Sequence, residues 1–114
     1  MDWHQGNATQ ERDEKNWLIG FFATGERGAN HSEDVEIKWA DHSSGDVQME
    51  WEESQGTSVS ILISGEMHIH FSDGTAELRE QGDYVLWGPG VDHRFSTPKQ
   101  ARVLTVRWPS RPDQ

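Results

Sequence analysis

The only His-x-His in the chain is His68-Ile-His70. Two imidazoles at that spacing on a strand share one face and could grip a metal ion. Met67, Ile69 and Phe71 take the opposite face and read as core, which turns both histidines outward as solvated or interface side chains. In Val103-Leu-Thr-Val-Arg-Trp108, Thr105 and Arg107 share a face, with Leu104 and Val106 on the other. If that face looks inward, Arg107 can hold a carboxylate or phosphate through paired N–H donors. The bland alternative is that it pairs with one of the chain's own acids. Six tryptophans are many for 114 residues. Trp51 and Trp87 are candidates to line a cavity and stack on a flat or cyclic ligand, whereas Trp39 and Trp108 read as structural.

Composition limits the rest. The chain carries 20 acidic and 10 basic residues, a formal charge of −10. Nucleic-acid affinity draws on Lys and Arg, so no nucleic-acid partner is expected. Docking on anionic membranes is disfavoured for the same reason. Without cysteine there is no disulfide framework, thiolate metal site or thiol nucleophile. No apolar run approaches the roughly 20 residues of a membrane span. No targeting segment is recognisable, and a cytoplasmic location is expected.

The length suits one domain. Residues 1–16 are polar and mixed in charge, and are expected to form a flexible arm. Residues 17–110 form the domain and 111–114 a tail. Asp34-Val-Glu-Ile-Lys-Trp39, Val47-Gln-Met-Glu-Trp51, Glu66-Met-His-Ile-His-Phe71 and Thr75-Ala-Glu-Leu-Arg79 alternate at period two, as half-buried strands do. Asp73-Gly74 reads as a hairpin turn. Residues 57–64 and 101–108 are denser in Val and Ile, and Trp17 to Phe22 forms a short apolar strand. Ser64-Gly65 and Gly88-Pro89-Gly90 punctuate the pattern as turns. Eight or nine short strands point to an all-β sandwich or barrel.

Gly82-Asp-Tyr-Val-Leu-Trp-Gly-Pro-Gly-Val-Asp-His93 resembles the second signature motif of the cupin superfamily. Gly82, Gly90 and His93 fall at the family's spacing, with the proline displaced by one place to Pro89. Ser60-Ile-Leu-Ile-Ser-Gly-Glu66 looks like the strand and turn that close the first motif. The resemblance covers roughly residues 34 to 108 and implies a cupin-type jelly-roll β-barrel with His93 pointing inward. Val35-Glu-Ile-Lys-Trp39 and Thr105-Val-Arg-Trp-Pro-Ser110 are further similar to small single-domain bacterial cupins.

The resemblance implies a metal held by His-x-His and Glu from the first motif and His from the second. Here the Glu position falls on Ser58, and the His-x-His positions on Trp51 and Glu53 or on Glu52 and Ser54. Only His93 remains, so the preferred expectation is no metal. The alternative is Fe, Mn, Ni or Zn on an unorthodox set of His42, Glu53 and His93. His42 also reads as an exposed turn residue. The expected function is small-molecule binding in the barrel by Trp51, Ser58, Trp87, His93 and Arg107. An enzyme is the alternative, either metal-dependent (dioxygenase or isomerase) or metal-free (isomerase or epimerase), with His93 and Glu53 as the catalytic pair. The dense apolar strands further suggest a homodimer, with Trp17 to Phe22 crossing to the partner.

Overall fold

The alternating and β-branched segments become seven strands. The structure is a computed structural model describing residues 3–112; residues 1–2 of the expected arm and 113–114 of the expected tail lie outside the described residues. The strands are β1 (Trp17–Ile19), β2 (Glu36–His42), β3 (Asp46–Val47), β4 (Thr57–Phe71), β5 (Gly74–Leu78), β6 (Tyr84–Trp87) and β7 (His93–Trp108). β4 and β7 are 15 and 16 residues long and pair antiparallel along most of their length. Each bends, so that its two halves serve different layers. The first half of β4 lies between β6 and the second half of β7, beyond which come β2 and β1. The second half of β4 lies between β5 and the first half of β7, which carries β3. Two antiparallel layers sharing two bent strands form the expected all-β jelly roll.

The bend in β4 replaces an expected chain break. Ser64-Gly65 reads as a turn, yet the strand continues through it with shifts of register. Gly65 has φ +85°, and a Cβ there would lie 1.7 Å from the Gln100 carbonyl oxygen. Glycine therefore bends β4 and lets β7 pass close by. β7 likewise begins at His93, well before the expected start at Ala101. The β4–β5 turn is Ser72-Asp73, with Gly74 already paired to Phe71, one residue earlier than Asp73-Gly74. The strand expected over 47–51 shortens to Asp46–Val47.

At the N-terminal side, β1 stops at Ile19 and pairs with β2 of its own chain. The arm before it is folded down. A single helical turn, α1 (Ala8–Glu11), is capped by Asn7, whose side chain accepts from the Gln10 N–H. Arg12 donates to the Trp39 carbonyl oxygen (2.8 Å) and to the Asp41 carboxylate (3.0 Å), and the Trp39 ring N–H donates to Thr9 Oγ1 (3.1 Å). The polar residues of this segment supply the cap and the ion pair. No helix among the described residues is long and apolar enough to cross a membrane.

The core gathers Leu62, Met67, Ile69, Leu78, Trp87 and Val103 between the layers. A second apolar surface lies outside. Two rows run in register across β2, β7, β4 and β6: Ile37, Val106, Val59 and Leu86, then Trp39, Leu104, Ile61 and Tyr84. Leu86 and Tyr84 are 56% and 67% exposed.

Candidate functional site

The rows that face inward are polar. Glu36, Arg107, Ser58 and Trp87 stand side by side across β2, β7, β4 and β6, and Lys38, Thr105, Ser60 and Val85 form the next row. Below them the wall turns apolar with Ala40, Val103 and Leu62. The opposite layer contributes Met67, Ile69 and Phe95, with His93 beside them on β7. Between the walls lies a cavity of about 810 Å³, with Trp17 and Lys15 of the N-terminal segment among its lining residues. One wall is hydrogen-bonding and cationic; the other is apolar at Met67, Ile69 and Phe95, with Gln48, Glu52, Glu53 and His93 also in the lining.

Each polar group on the first wall has a defined state. Arg107 donates from Nε to Glu36 Oε1 over 2.9 Å, and Glu36 is 4% exposed. Ser60 Oγ and Thr105 Oγ1 share a hydrogen bond of 2.8 Å. The Trp17 ring lies 4.8 Å from the Arg107 guanidinium and 5.4 Å from the Lys38 ammonium. Burial, with Arg107 beside it, holds Lys38 below the usual lysine range. The Trp87 ring N–H is buried with no partner among the described residues.

The candidate residues divide as follows. Ser58, Trp87, His93, Arg107, Glu53 and His42 all line the cavity. Trp51 does not: it is 44% exposed and its ring lies beneath the Arg94 guanidinium at 4.7 Å. His93 stacks on Trp87 with 4.8 Å between ring centroids. Its Nδ1 lies 3.1 Å from the Val91 carbonyl, which can only accept, so Nδ1 carries a proton and the contact leaves Nε2 toward the cavity. His42 closes β2 rather than lying in an exposed turn. It packs on Phe95 at 4.6 Å, and burial, then nearby Lys38, holds its imidazole below the usual range. His68 and His70 face away from Met67 and Ile69, as expected. His68 Nε2 meets Glu66 at 2.6 Å, and His70 lies between Thr75 and Ser96 at 3.1 and 2.8 Å.

The metal that the resemblance implies finds no fitting donor set. Among the described residues no group of three His, Asp or Glu side chains is placed to hold an ion, and His42, Glu53 and His93 share the cavity without forming one. Sequence reasoning missed Lys38, Ser60 and Trp17 as lining residues, and had Thr105 only as sharing the face of Arg107. The signal was available in Glu36-Ile-Lys-Trp39: Glu36 and Lys38 share a face, and that face proved to be the inner one.

No protein-family model matches the chain, and no curated protein matches it. Solved structures do. The fold is similar to a cupin superfamily protein from Desulfitobacterium hafniense, with TM-score 0.62 and 21% identity over 68% of this chain and 69% of that one. KdgF from a Halomonas species gives 0.65 and 15% over 73% and 77%. A conserved protein of unknown function from Streptococcus pyogenes gives 0.64 and 16% over 95% and 89%. The chain therefore has the cupin fold. At these identities the likeness carries the fold and not the chemistry.

Proposed function

We propose that this is a small cupin-fold protein that binds a small molecule between its two layers. The observation that carries the reading is the cavity itself. Its volume of about 810 Å³ is that of a small-molecule site, and a few placed polar groups face an apolar wall. Ser58, Trp87, His93 and Arg107 are the binding residues carried over from the sequence, joined by Lys38, Ser60 and Thr105. Turnover by His93 with Glu53 is a second reading, favoured by the His93 Nε2 that the Val91 contact leaves toward the cavity and by both side chains lining it. A cytoplasmic homodimer completes the proposal, with the outer apolar rows as the contact.

The test is a thermal-shift screen of small metabolites against wild type and Ser60→Phe, which fills the cavity from its polar wall. A binder raises the melting temperature by mass action. The shift should vanish in Ser60→Phe if circular dichroism shows that the variant is folded. Quenching of tryptophan fluorescence, from Trp17 and Trp87 in the lining, is a second readout. Shifts that survive the filling, or none in a broad screen, would remove the proposal.

A further inference from the structure

Lys38 is a half-buried cation on the cavity side of β2, and the carboxylates of Glu52 and Asp13 act on its charge from beyond ion-pair distance. It stands on the inner face of β2, in the row completed by Thr105 and Ser60. Among the described residues it makes no ion pair, and its contact is the Trp17 ring at 5.4 Å. The neighbouring cation is different, because Arg107 is answered by Glu36 at 2.9 Å. On the inner face of this layer Lys38 is thus the cation outside an ion pair, while Lys15 and the carboxylates of Glu52 and Glu53 also line the cavity. Beside Lys38 are two hydroxyls, bonded to each other at 2.8 Å. Across the cavity, Met67, Ile69 and Phe95 offer no hydrogen bond from their side chains.

We infer that the ligand of this cavity is a small organic monoanion, a carboxylate on an apolar or flat body. The acid sits against the Lys38 ammonium and the Thr105 and Ser60 hydroxyls, and the body lies along Met67, Ile69 and Phe95. This rests on the reading of the cavity as a binding site and adds the ligand's class. A cation kept out of bulk water is stabilised by an anion that enters with it. Glu52 and Glu53, also in the lining, oppose added negative charge, which disfavours a phosphate dianion more than a carboxylate. The apolar wall then selects for the rest of the molecule through area removed from water.

The experiment compares matched pairs by calorimetry: benzoate with benzamide, indole-3-acetate with indole-3-acetamide, and octanoate with octanamide, with inorganic phosphate alongside. The proteins are wild type, Lys38→Met and Lys38→Arg, each checked for folding by circular dichroism. At least one acid should bind wild type roughly tenfold or more tighter than its amide, the scale of a hydrogen bond to a charged group. Lys38→Met should abolish that preference while still binding the amide. Lys38→Arg should keep part of it. Equal binding of acid and amide to wild type would overturn the monoanion and leave the cavity reading standing. A preference that survives Lys38→Met would overturn the role of Lys38. Tighter binding of phosphate than of any carboxylate would overturn the choice of acid. Failure of every acid and amide to bind wild type would overturn the inference, and the metabolite screen with Ser60→Phe then decides separately whether the cavity binds anything.

Discussion

Arg107 and Glu36 stand directly opposite each other on β7 and β2, and the guanidinium Nε reaches the carboxylate over 2.9 Å. The pair sits at the inner end of a polar row, with Glu36 only 4% exposed. Removing one member leaves the other charged in a poorly solvated place. Glu36→Ala should therefore destabilise the fold by about 3 kcal/mol, the low end for a buried pair because the Arg107 side chain is 19% exposed. Urea unfolding measures it. A loss below about 0.5 kcal/mol would mean that Arg107 relaxes into solvent and the pair holds nothing in place.

Two glycines with the same backbone conformation should respond differently to alanine. Gly65 and Gly45 both have φ +85°. Each would lose about 1–2 kcal/mol from the left-handed conformation alone. At Gly45 a Cβ meets nothing within 4 Å, so that is the whole cost. At Gly65 the Cβ would lie 1.7 Å from the Gln100 carbonyl oxygen, and β7 has to move. Gly65→Ala should exceed about 4 kcal/mol or fail to fold. Similar melting temperatures for the two variants would show that the β4–β7 crossing is loose.

The fold was legible from turns and alternation, and the site much less so. Period two tells which residues share a face and leaves open which face is inside. In β2 the usual assumption fails: Ile37 and Trp39 look outward, and Glu36, Lys38 and Ala40 look inward. Ser58 and Ser60 on β4 are buried while Val59 and Ile61 point out. The strands are apolar on the outside of one layer and polar toward the cavity, so hydrophobicity pointed away from the site. In the second half of β4 the ordinary rule holds, and there the inward Met67 and Ile69 and outward His68 and His70 were read correctly. Length was also hidden. Gly65 looks like a turn because the residue type required for a bend in a continuous strand is the one required for a chain reversal.

The outer rows predict self-association. Ile37, Val106, Val59 and Leu86, beside Trp39, Leu104, Ile61 and Tyr84, make a flat apolar face across four strands. A flat face can meet its own copy about a two-fold axis. Sedimentation velocity should find a dimer for wild type. Leu86→Lys, at a position 56% exposed, should shift it to monomer with little change in fold. A monomer in wild type at tens of micromolar would refute this contact.

Stability should fall in two steps as the solution is acidified. Burial holds His42 and His70 below the usual histidine value, so both stay neutral in the folded chain. The unfolded chain takes up their protons near 6.5. The unfolded state binds more protons there, so stability is full above that value and declines as pH falls through it toward the folded values. Asp41 is held low by the Arg102 hydrogen bond, and Asp83 by the backbone N–H groups of Glu80 and Arg79. Their contribution is present above the ordinary carboxylate value of 3.8 and is lost as pH falls below it. Calorimetry from pH 8 to 3 should show the first decline setting in as pH falls below about 6.5. His42→Gln should flatten that step and leave the lower one intact. An unchanged upper step would assign it elsewhere.

Lys38 should lower the stability of the empty protein. Burial, and Arg107 beside it, hold its ammonium below the usual lysine value of 10.5. A lysine whose folded value is depressed opposes folding wherever the unfolded chain keeps it charged: the deficit is full below the folded value, shrinks as pH rises through it, and is gone above the unfolded value. Lys38→Met keeps the aliphatic stem against Trp17 and removes the charge. It should raise the melting temperature, by about 4–8 °C if the gain is near 1 kcal/mol. Lys38→Arg keeps the charge and should gain little. The contrast separates two roles. A lysine kept for the fold would make Lys38→Met less stable, through the lost contact with the Trp17 ring. A lysine kept for an incoming acid makes it more stable when empty and weaker at binding, and only that pair of results fits a cation held outside any ion pair on the wall of a cavity.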